Sequence, residues 1–253
     1  MKKYLVIGNP IKHSLSPKLH NYWIKENNIH AVYEKRQLEK VDIERVISEI
    51  KNGKIEGINV TVPFKKSVIP FLDEITTLVK ETQSVNTIYK KEGKTIGDNT
   101  DVGGFKHALE YIKYNVKGKK IFVLGAGGVA PSIISALKKI GTSKIVLSNR
   151  TKEKAENLKK IFSNLEVINW GEIPDFNMII NATSLGLKEN DEIKMDYKNI
   201  GSNKLFYDVI YNPKETNFLK KAKQLGHQTE NGKMMFIYQA HQAFTIWHKI
   251  MPA

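Results

Sequence analysis

Cysteine is missing altogether from the 253 residues. Its absence excludes disulfides, a thiolate metal site and a cysteine nucleophile, and it fits a reducing, cytoplasmic setting. Long apolar runs are missing too. None reaches the ~18–20 residues that span a bilayer, and Met1–Tyr4 leads straight into a short strand-like run. Neither a membrane helix nor a secretory leader is expected. A third ligand at metal spacing is lacking beside His13 and His20, so both read as structural and no metal is expected. No internal repeat or low-complexity linker interrupts the chain. Negative charge is scarce, with 26 acidic against 40 basic residues and a net charge of +14. A basic excess can mean nucleic acid, but the lysines are scattered (Lys90–Lys91, Lys138–Lys139, Lys159–Lys160, Lys220–Lys221) without interleaved aromatics. The expectation is a solvated basic surface that attracts small anionic ligands, with no nucleic acid and no membrane as partner.

What the chain does have is a glycine turn between a strand and a helix. Ile121–Leu124 has the length and β-branched character of a buried parallel strand. Gly125, Gly127 and Gly128 follow, and Ile133, Ile134, Leu137 and Ile140 then recur at helical spacing until Gly141. This is the first half of a dinucleotide-binding βαβ unit, in which glycines let the backbone approach a pyrophosphate at the helix N-terminus. Ala130 replaces the third glycine of the usual fingerprint, and Pro131 is tolerated in the first helical turn. A plain strand-to-helix turn is the competing reading. Lys144–Asn149 reads as the next strand, with Asn149–Arg150–Thr151 where an acidic residue would bind an NAD ribose. Asparagine and arginine there suit a 2′-phosphate, which makes NADP the expected cofactor.

The first hundred residues alternate strand and helix. Tyr4–Ile7, Val32–Leu38 and Ile58–Val62 read as strands. Helices are expected from Ser16–Pro17, over Val41–Ile50 and over Val68–Leu72. Asn86–Tyr89 and Thr95–Gly97 form a hairpin turning at Glu92–Gly93, and Asp101 opens the next helix. Beyond the glycine turn, Leu165–Ile168, Met178–Asn181 and Leu205–Asp208 read as strands. Lys154–Ile161, Asn217–Leu225 and Met235–His248 read as helices, with Phe244 and Trp247 as core. The fold class is α/β with two domains and a ligand cleft between them: an N-terminal α/β substrate domain and a Rossmann-like NADP-binding domain. The C-terminal helix is expected to return to the first domain. The boundaries are 1–101 plus 233–253 for the first and 102–232 for the second.

Polar clusters stand at the strand ends of the N-terminal half, where α/β sheets bind ligands. In His13–Pro17 (HSLSP), Ser14 and Ser16 are hydroxyl donors for a carboxylate; taken alone, Ser16 also reads as an N-cap with Pro17 at N1. In Asn59–Lys65 (NVTVPFK), Lys65 reads either as a functional ammonium or as a solvated residue. Ser84–Thr87 (SVNT) and Gly97–Asp101 (GDNTD) follow, and Asp101 alone reads as an N-cap. Asn181–Ser184 follows a strand, where its small polar residues suit the nicotinamide side of a cofactor or a plain exit turn.

Together these clusters resemble the shikimate dehydrogenase family, almost from end to end. The resemblance takes in HSLSP, NVTVPFK, VNT (Val85–Thr87), NTD (Asn99–Asp101), GAGG (Gly125–Gly128) and NRT (Asn149–Thr151). It continues through NATSLG (Asn181–Gly186), YDVIYNP (Tyr207–Pro213) and QAHQAFTIW (Gln239–Trp247). That family reduces 3-dehydroshikimate to shikimate with NADPH on the route to aromatic amino acids. The resemblance implies that Ser14, Ser16, Thr61, Asn86 and Gln239 hold the substrate, that Lys65 and Asp101 are the catalytic pair, and that Tyr211 lines the site. It implies a cofactor set of Gly125, Ala126, Gly127, Gly128, Val129, Ala130, Asn149, Arg150, Thr151, Lys154, Thr183, Ser184, Val209 and Gly232. Met234 departs from the pattern, standing where the family usually has a second glycine after Gly232. The chemistry of the residues agrees. Hydride transfer to a ketone builds negative charge on oxygen, which a lysine ammonium can stabilise and protonate while a carboxylate orients it. Use of quinate as well, or a catalytically inactive ligand-binding regulator on the same fold, are the alternative functions. Monomer and homodimer are both open.

Overall fold

The computed structural model describes residues 1–188 and 190–252. The chain divides into two units, Met1–Gly104 with Tyr238–Ala253, and Phe105–Ile237. The first unit runs β1 (Lys2–Gly8), α1 (Ser16–Glu26), β2 (Ala31–Gln37), α2 (Ile43–Lys51), β3 (Gly57–Val60), β4 (Glu74–Ile75), α3 (Thr77–Thr82), β5 (Thr87–Lys91) and β6 (Lys94–Asp98). Helix α4 (Asp101–Tyr111) begins in this unit and carries the chain into the second.

The sheet of the first unit has the order β2-β1-β3-β5-β6-β4. β1 pairs parallel with both β2 and β3, whereas β5 runs antiparallel to β3 and β6. The hairpin turns where expected, with Glu92 at φ 50° and Gly93 at φ 80°, the double left-handed conformation that matches strand twist. Helix α2 shows why the apolar spacing was legible. Ile43, Val46, Ile47 and Ile50 recur at helical intervals, and all four are buried beside Leu5, Ile7, Ile58 and Ile88. Each such side chain contributes about 1.5–3 kcal/mol on burial.

The second unit continues with β7 (Lys120–Leu124), α5 (Ala130–Ile140), β8 (Lys144–Ser148), α6 (Lys152–Ile161), β9 (Leu165–Ile168), β10 (Met178–Asn181), β11 (Leu205–Asp208), α7 (Asn217–Gln224) and β12 (Gln228–Glu230). Its sheet is parallel throughout, in the order β12-β11-β10-β7-β8-β9. The strands leave β7 toward β8 and β9, then resume at β10 on its other side. That reversal is the switch point at which α/β sheets open a crevice. Helix α5 ends at Gly141, whose φ of 93° is the left-handed cap its sequence position called for. Helix α8 (Lys233–His248) starts in the second unit and ends in the first, where Trp247 donates its indole N–H to the Ile88 carbonyl at 3.2 Å.

Some expectations are corrected. Val68–Leu72 is not an α-helix but a single 3₁₀ turn, Ile69–Phe71. Pro70 removes an N–H and disfavours helical backbone at Ile69, and the segment is too short to recover the cost of nucleation. β3 stops at Val60, because Thr61 already opens a turn closed by the Phe64 N–H at 3.0 Å. β4, α3 and β12 are too short for any periodicity to announce them.

Candidate active site

The turn after β3 delivers Lys65. The Lys65 carbonyl accepts from the Val85 N–H at 2.8 Å, which ties this turn to the segment that leads into β5. Its ammonium donates to Asp101 Oδ2 at 2.6 Å, and the two side chains are only 10% and 7% exposed. Asp101 is the first residue of α4, where the helix N-terminus favours negative charge. The expectation that it caps this helix is not met. Asn99 does that, its Oδ1 accepting the Val102 N–H at 3.2 Å, and so the Asp101 carboxylate is left to Lys65.

Asn86 holds the other carboxylate oxygen, donating through Nδ2 to Asp101 Oδ1 at 3.0 Å. The same amide nitrogen faces Gln239 Oε1 at 3.3 Å and Thr100 Oγ1 at 2.9 Å. Four sequence-predicted residues, Lys65, Asn86, Asp101 and Gln239, are thereby brought into one hydrogen-bonded group. Thr61 opens the turn that leads to Lys65, with its methyl group pressed against Gly8, where a Cβ would come within 2.5 Å. Ser14 and Ser16 lie on the segment that joins β1 to α1, and they contact each other. The Ser16 N–H donates to Ser14 Oγ at 3.3 Å. Ser16 is helical, not the N-cap, and neither serine hydroxyl donates to another group among the described residues. Both hydroxyls keep a donor for a ligand. Tyr211 belongs to the second unit, where its ring stacks on Phe236 at 4.4 Å.

In the second unit the glycine turn follows β7 at the switch point. Gly125 has φ 104°, and a Cβ there would lie 2.8 Å from the Thr183 methyl and 2.9 Å from the Ala182 carbonyl. Only glycine fits so close to that strand exit. A Cβ on Gly127 would meet nothing nearer than 3.9 Å, which leaves an open cradle beside the N-terminus of α5. Val129 is the residue before that helix, and Ala130 and Pro131 are buried in its first turn. Ala130 is fully buried, so the missing third glycine costs nothing where a methyl group already packs.

Asn149 bridges two turns, accepting from the Ala126 N–H at 3.0 Å and donating to the Thr151 carbonyl at 2.8 Å. Arg150 is exposed and makes no hydrogen bond or ion pair among the described residues. Thr151 and Lys154 are also exposed, at the start of α6. An unspent guanidinium fork beside a glycine cradle fits a dinucleotide that carries an extra phosphate. Thr183 spends its hydroxyl on Asn181 Oδ1 at 2.7 Å, whereas Ser184 is exposed. Gly232 passes the Val209 carbonyl so closely that a Cβ would lie 2.0 Å from its oxygen.

One buried acid is not singled out by chemistry in the sequence. Asp208 at the end of β11 makes no ion pair among the described residues, yet it accepts from Thr216 Oγ1 at 2.6 Å, Asn181 Nδ2 at 3.0 Å and the Ile210 N–H at 3.0 Å. Burial pushes its carboxyl up to about 6 against the pull of these donors. The polar Asn181 before it was the available signal. His20, read as structural, is fully buried with neither ring nitrogen bonded and is stacked on Tyr33 at 4.2 Å. Burial, with the nearby His248 adding to it, pushes its imidazole down to about 3. No group of three His, Asp or Glu able to hold a metal lies among the described residues.

Residues 6–88 match the family model described as the shikimate dehydrogenase substrate binding domain, and residues 107–215 match that for shikimate / quinate 5-dehydrogenase. The chain is 64% identical over 251 residues to the shikimate dehydrogenase (NADP(+)) of Pelagibacter ubique, covering 99% of this chain and 95% of that protein. Among solved structures it resembles shikimate dehydrogenase from Aquifex aeolicus, with a TM-score of 0.93 and 42% identity over 100% of this chain and 94% of that one. A Thermus thermophilus shikimate 5-dehydrogenase solved with NADP(H) and shikimate aligns with a TM-score of 0.91 and 28% identity. It covers 100% of this chain and 95% of that one.

Proposed function

The chain belongs to the shikimate dehydrogenase family, and from that premise we propose how its own residues carry the reaction. The activity is the reversible, NADP-dependent reduction of 3-dehydroshikimate to shikimate. Its relatives do not favour the alternatives, a quinate-using enzyme or an inactive regulator. The bound cofactor supplies the hydride. As negative charge grows on the ketone oxygen, the Lys65 ammonium stabilises it and gives it a proton, so that the carbonyl becomes a secondary alcohol and Lys65 is left neutral until solvent reprotonates it. Asp101 orients the ammonium, and Asn86 holds Asp101. Ser14 and Ser16 receive the substrate carboxylate with their unspent hydroxyls, while Thr61, Gln239 and Tyr211 complete the substrate set.

The cofactor set of this reading is Gly125–Ala130 for the pyrophosphate, Asn149, Arg150, Thr151 and Lys154 for the ribose phosphate, and Thr183, Ser184, Val209 and Gly232 toward the nicotinamide. The substrate domain is taken as 1–101 plus 233–253 and the cofactor domain as 102–232. No helix among the described residues is long and apolar enough to cross a membrane. A cytoplasmic enzyme, monomeric or homodimeric, is the reading that suits this and a biosynthetic activity. The observation that carries the mechanism is the buried 2.6 Å contact between Lys65 and Asp101. The test is an absorbance assay of NADPH formation from shikimate, run beside quinate and NAD. Fast turnover is expected with shikimate and NADP. Turnover of quinate at a comparable rate would overturn the substrate assignment.

A further inference from the structure

Behind the Lys65–Asp101 pair runs a line of buried polar groups that the reaction does not itself require. Tyr33 in β2 is 2% exposed, and its hydroxyl donates to Asn59 Oδ1 at 2.7 Å. Asn59 Nδ2 donates onward to Thr87 Oγ1 at 3.2 Å and to the Asn86 carbonyl at 3.1 Å. Thr87 Oγ1 donates to Asn86 Oδ1 at 3.1 Å, and Asn86 Nδ2 donates to Asp101 Oδ1. Every link runs the same way, from the tyrosine hydroxyl to the carboxylate that holds Lys65.

Direction matters because the two ends of an amide have nearly the same shape. Turned over, Asn86 would present an oxygen to the Asp101 carboxylate, a repulsion in place of a bond. Thr100 supplies one fixed reference, its backbone N–H reaching Asn86 Oδ1 at 2.7 Å from a donor that cannot rotate away. Thr87 supplies the second: it accepts from Asn59 on a lone pair and directs its one hydroxyl proton to Asn86. The Asn86 backbone carbonyl, which can only accept, fixes which end of Asn59 faces Thr87, and the Tyr33 hydroxyl satisfies the other end by donating to it. Buried chains of this kind polarise one another, and a half-satisfied member is costly.

We propose that Tyr33, Asn59 and Thr87 are positioning residues for proton transfer, which fix the Asn86 amide so that it holds Asp101 against Lys65. The inference rests on the reading of Lys65, Asp101 and Asn86 as the reacting centre. A purely structural line would respond to lost volume, whereas this one responds to lost hydroxyls. The two are separable at position 87. Thr87→Val keeps the shape and removes the hydroxyl; Thr87→Ser keeps the hydroxyl and removes a methyl group.

Steady-state kinetics in both directions, with melting temperature as a control, decide it. Thr87→Val is expected to lower kcat about five- to tenfold, the equivalent of roughly one hydrogen bond, with the KM for NADP unchanged. Thr87→Ser should restore most of that loss. Tyr33→Phe, which keeps the ring on His20, should lower kcat in the same sense and serves if Thr87→Val fails to fold. The double variant should be little worse than Thr87→Val alone, since both cut one line. A wild-type kcat in Thr87→Val or Tyr33→Phe, or a Thr87→Ser as slow as Thr87→Val, would overturn the proposal. Asn86→Ala separates this from failure of the underlying reading. Normal turnover in Asn86→Ala would remove Asn86 from the reacting centre, and the proposal with it. Slow turnover there beside a normal Thr87→Val would sink the positioning line alone.

Discussion

The two units hold the groups proposed for function in opposite ways. In the first unit they are side chains taken out of water: Lys65, Asn86, Thr100 and Asp101 are all buried and bonded to one another. In the second unit they are backbone and surface: a glycine turn with an open cradle, and Arg150, Thr151 and Lys154 standing in solvent. The difference follows from what each must do. Moving a proton needs a charged pair held in a low-dielectric place, where its attraction is strong and its geometry cannot wander. Holding a dinucleotide needs close backbone approach and an unspent cation, both of which ordinary folding leaves available at a strand-to-helix turn. The first arrangement is costly and sensitive to single atoms, and the second is cheap and tolerant. Substitutions in the two units should therefore differ in kind as well as in size.

The largest effect is expected at the buried pair. Asp101→Asn keeps the shape and removes the charge that orients Lys65, so kcat should fall by about 10²–10⁴-fold with little change in the KM for either substrate. Breaking one partner of a buried pair also destabilises by about 3–5 kcal/mol, and a melting curve must show the variant folded at the assay temperature. A change in KM alone would put Asp101 on the binding side of the comparison.

Next comes Arg150. An exposed guanidinium with no partner among the described residues contributes only when a ligand arrives. Arg150→Ala is expected to weaken NADP by about 10- to 100-fold, the worth of a charge-assisted hydrogen bond, and to leave NAD nearly unchanged. Equal losses for both cofactors, measured by fluorescence titration, would show that Arg150 does not read the extra phosphate.

Smaller again is the serine pair. Ser16→Ala should raise the KM for shikimate about tenfold and leave that for NADP alone, because its hydroxyl donor is unspent in the protein. Loss of stability without a change in KM would mean that Ser16 serves only the start of α1.

The smallest effect concerns His20, the buried imidazole behind β2. With its folded value lowered to about 3 from 6.5, the neutral ring is undisturbed above pH 6.5. Below that, the unfolded chain takes up a proton that the folded one refuses, and stability falls as the pH drops from 6.5 toward 3. His248, lowered to about 4 by burial and by Lys2, adds in the same direction. His20→Leu should flatten the fall in melting temperature between pH 6.5 and 5. Identical slopes in the two proteins would assign the acid sensitivity elsewhere.

How much of this was legible in the sequence also divides along the comparison. The second unit is legible in most of its elements, because a parallel sheet writes itself as apolar runs and Gly125 in its turn has a mechanical reason to be glycine. Gly141 and the Asn149–Thr151 corner stand where spacing put them. The first unit was read in outline. Lys65, Asn86 and Asp101 were named as separate clusters, but single-residue logic favoured a cap for Asp101 and a solvated role for Lys65. Nothing in the spacing of residues 65 and 101 says that they meet, since only the β3–β5–β6 pairing brings the two turns together. The motifs resembling a known family supplied that step. Thr87 and Asp208 lie inside quoted motifs without a role of their own, and Tyr33 lies in none, since a buried polar residue shows its partner only in three dimensions. Val68–Leu72 was misread because four apolar residues around a proline suit a helix, a strand or a single turn equally well.

In the proposed reaction Lys65 gives up a proton and does not merely carry charge. Lys65→Arg separates the two, because arginine stays charged at Asp101 but does not release a proton near neutral pH. Turnover of shikimate by Lys65→Arg, measured at saturating NADP on a variant shown to be folded, is predicted to fall at least about 10²-fold with the KM little changed. Turnover near that of the unaltered enzyme would show that charge alone suffices, and would contradict proton transfer by Lys65.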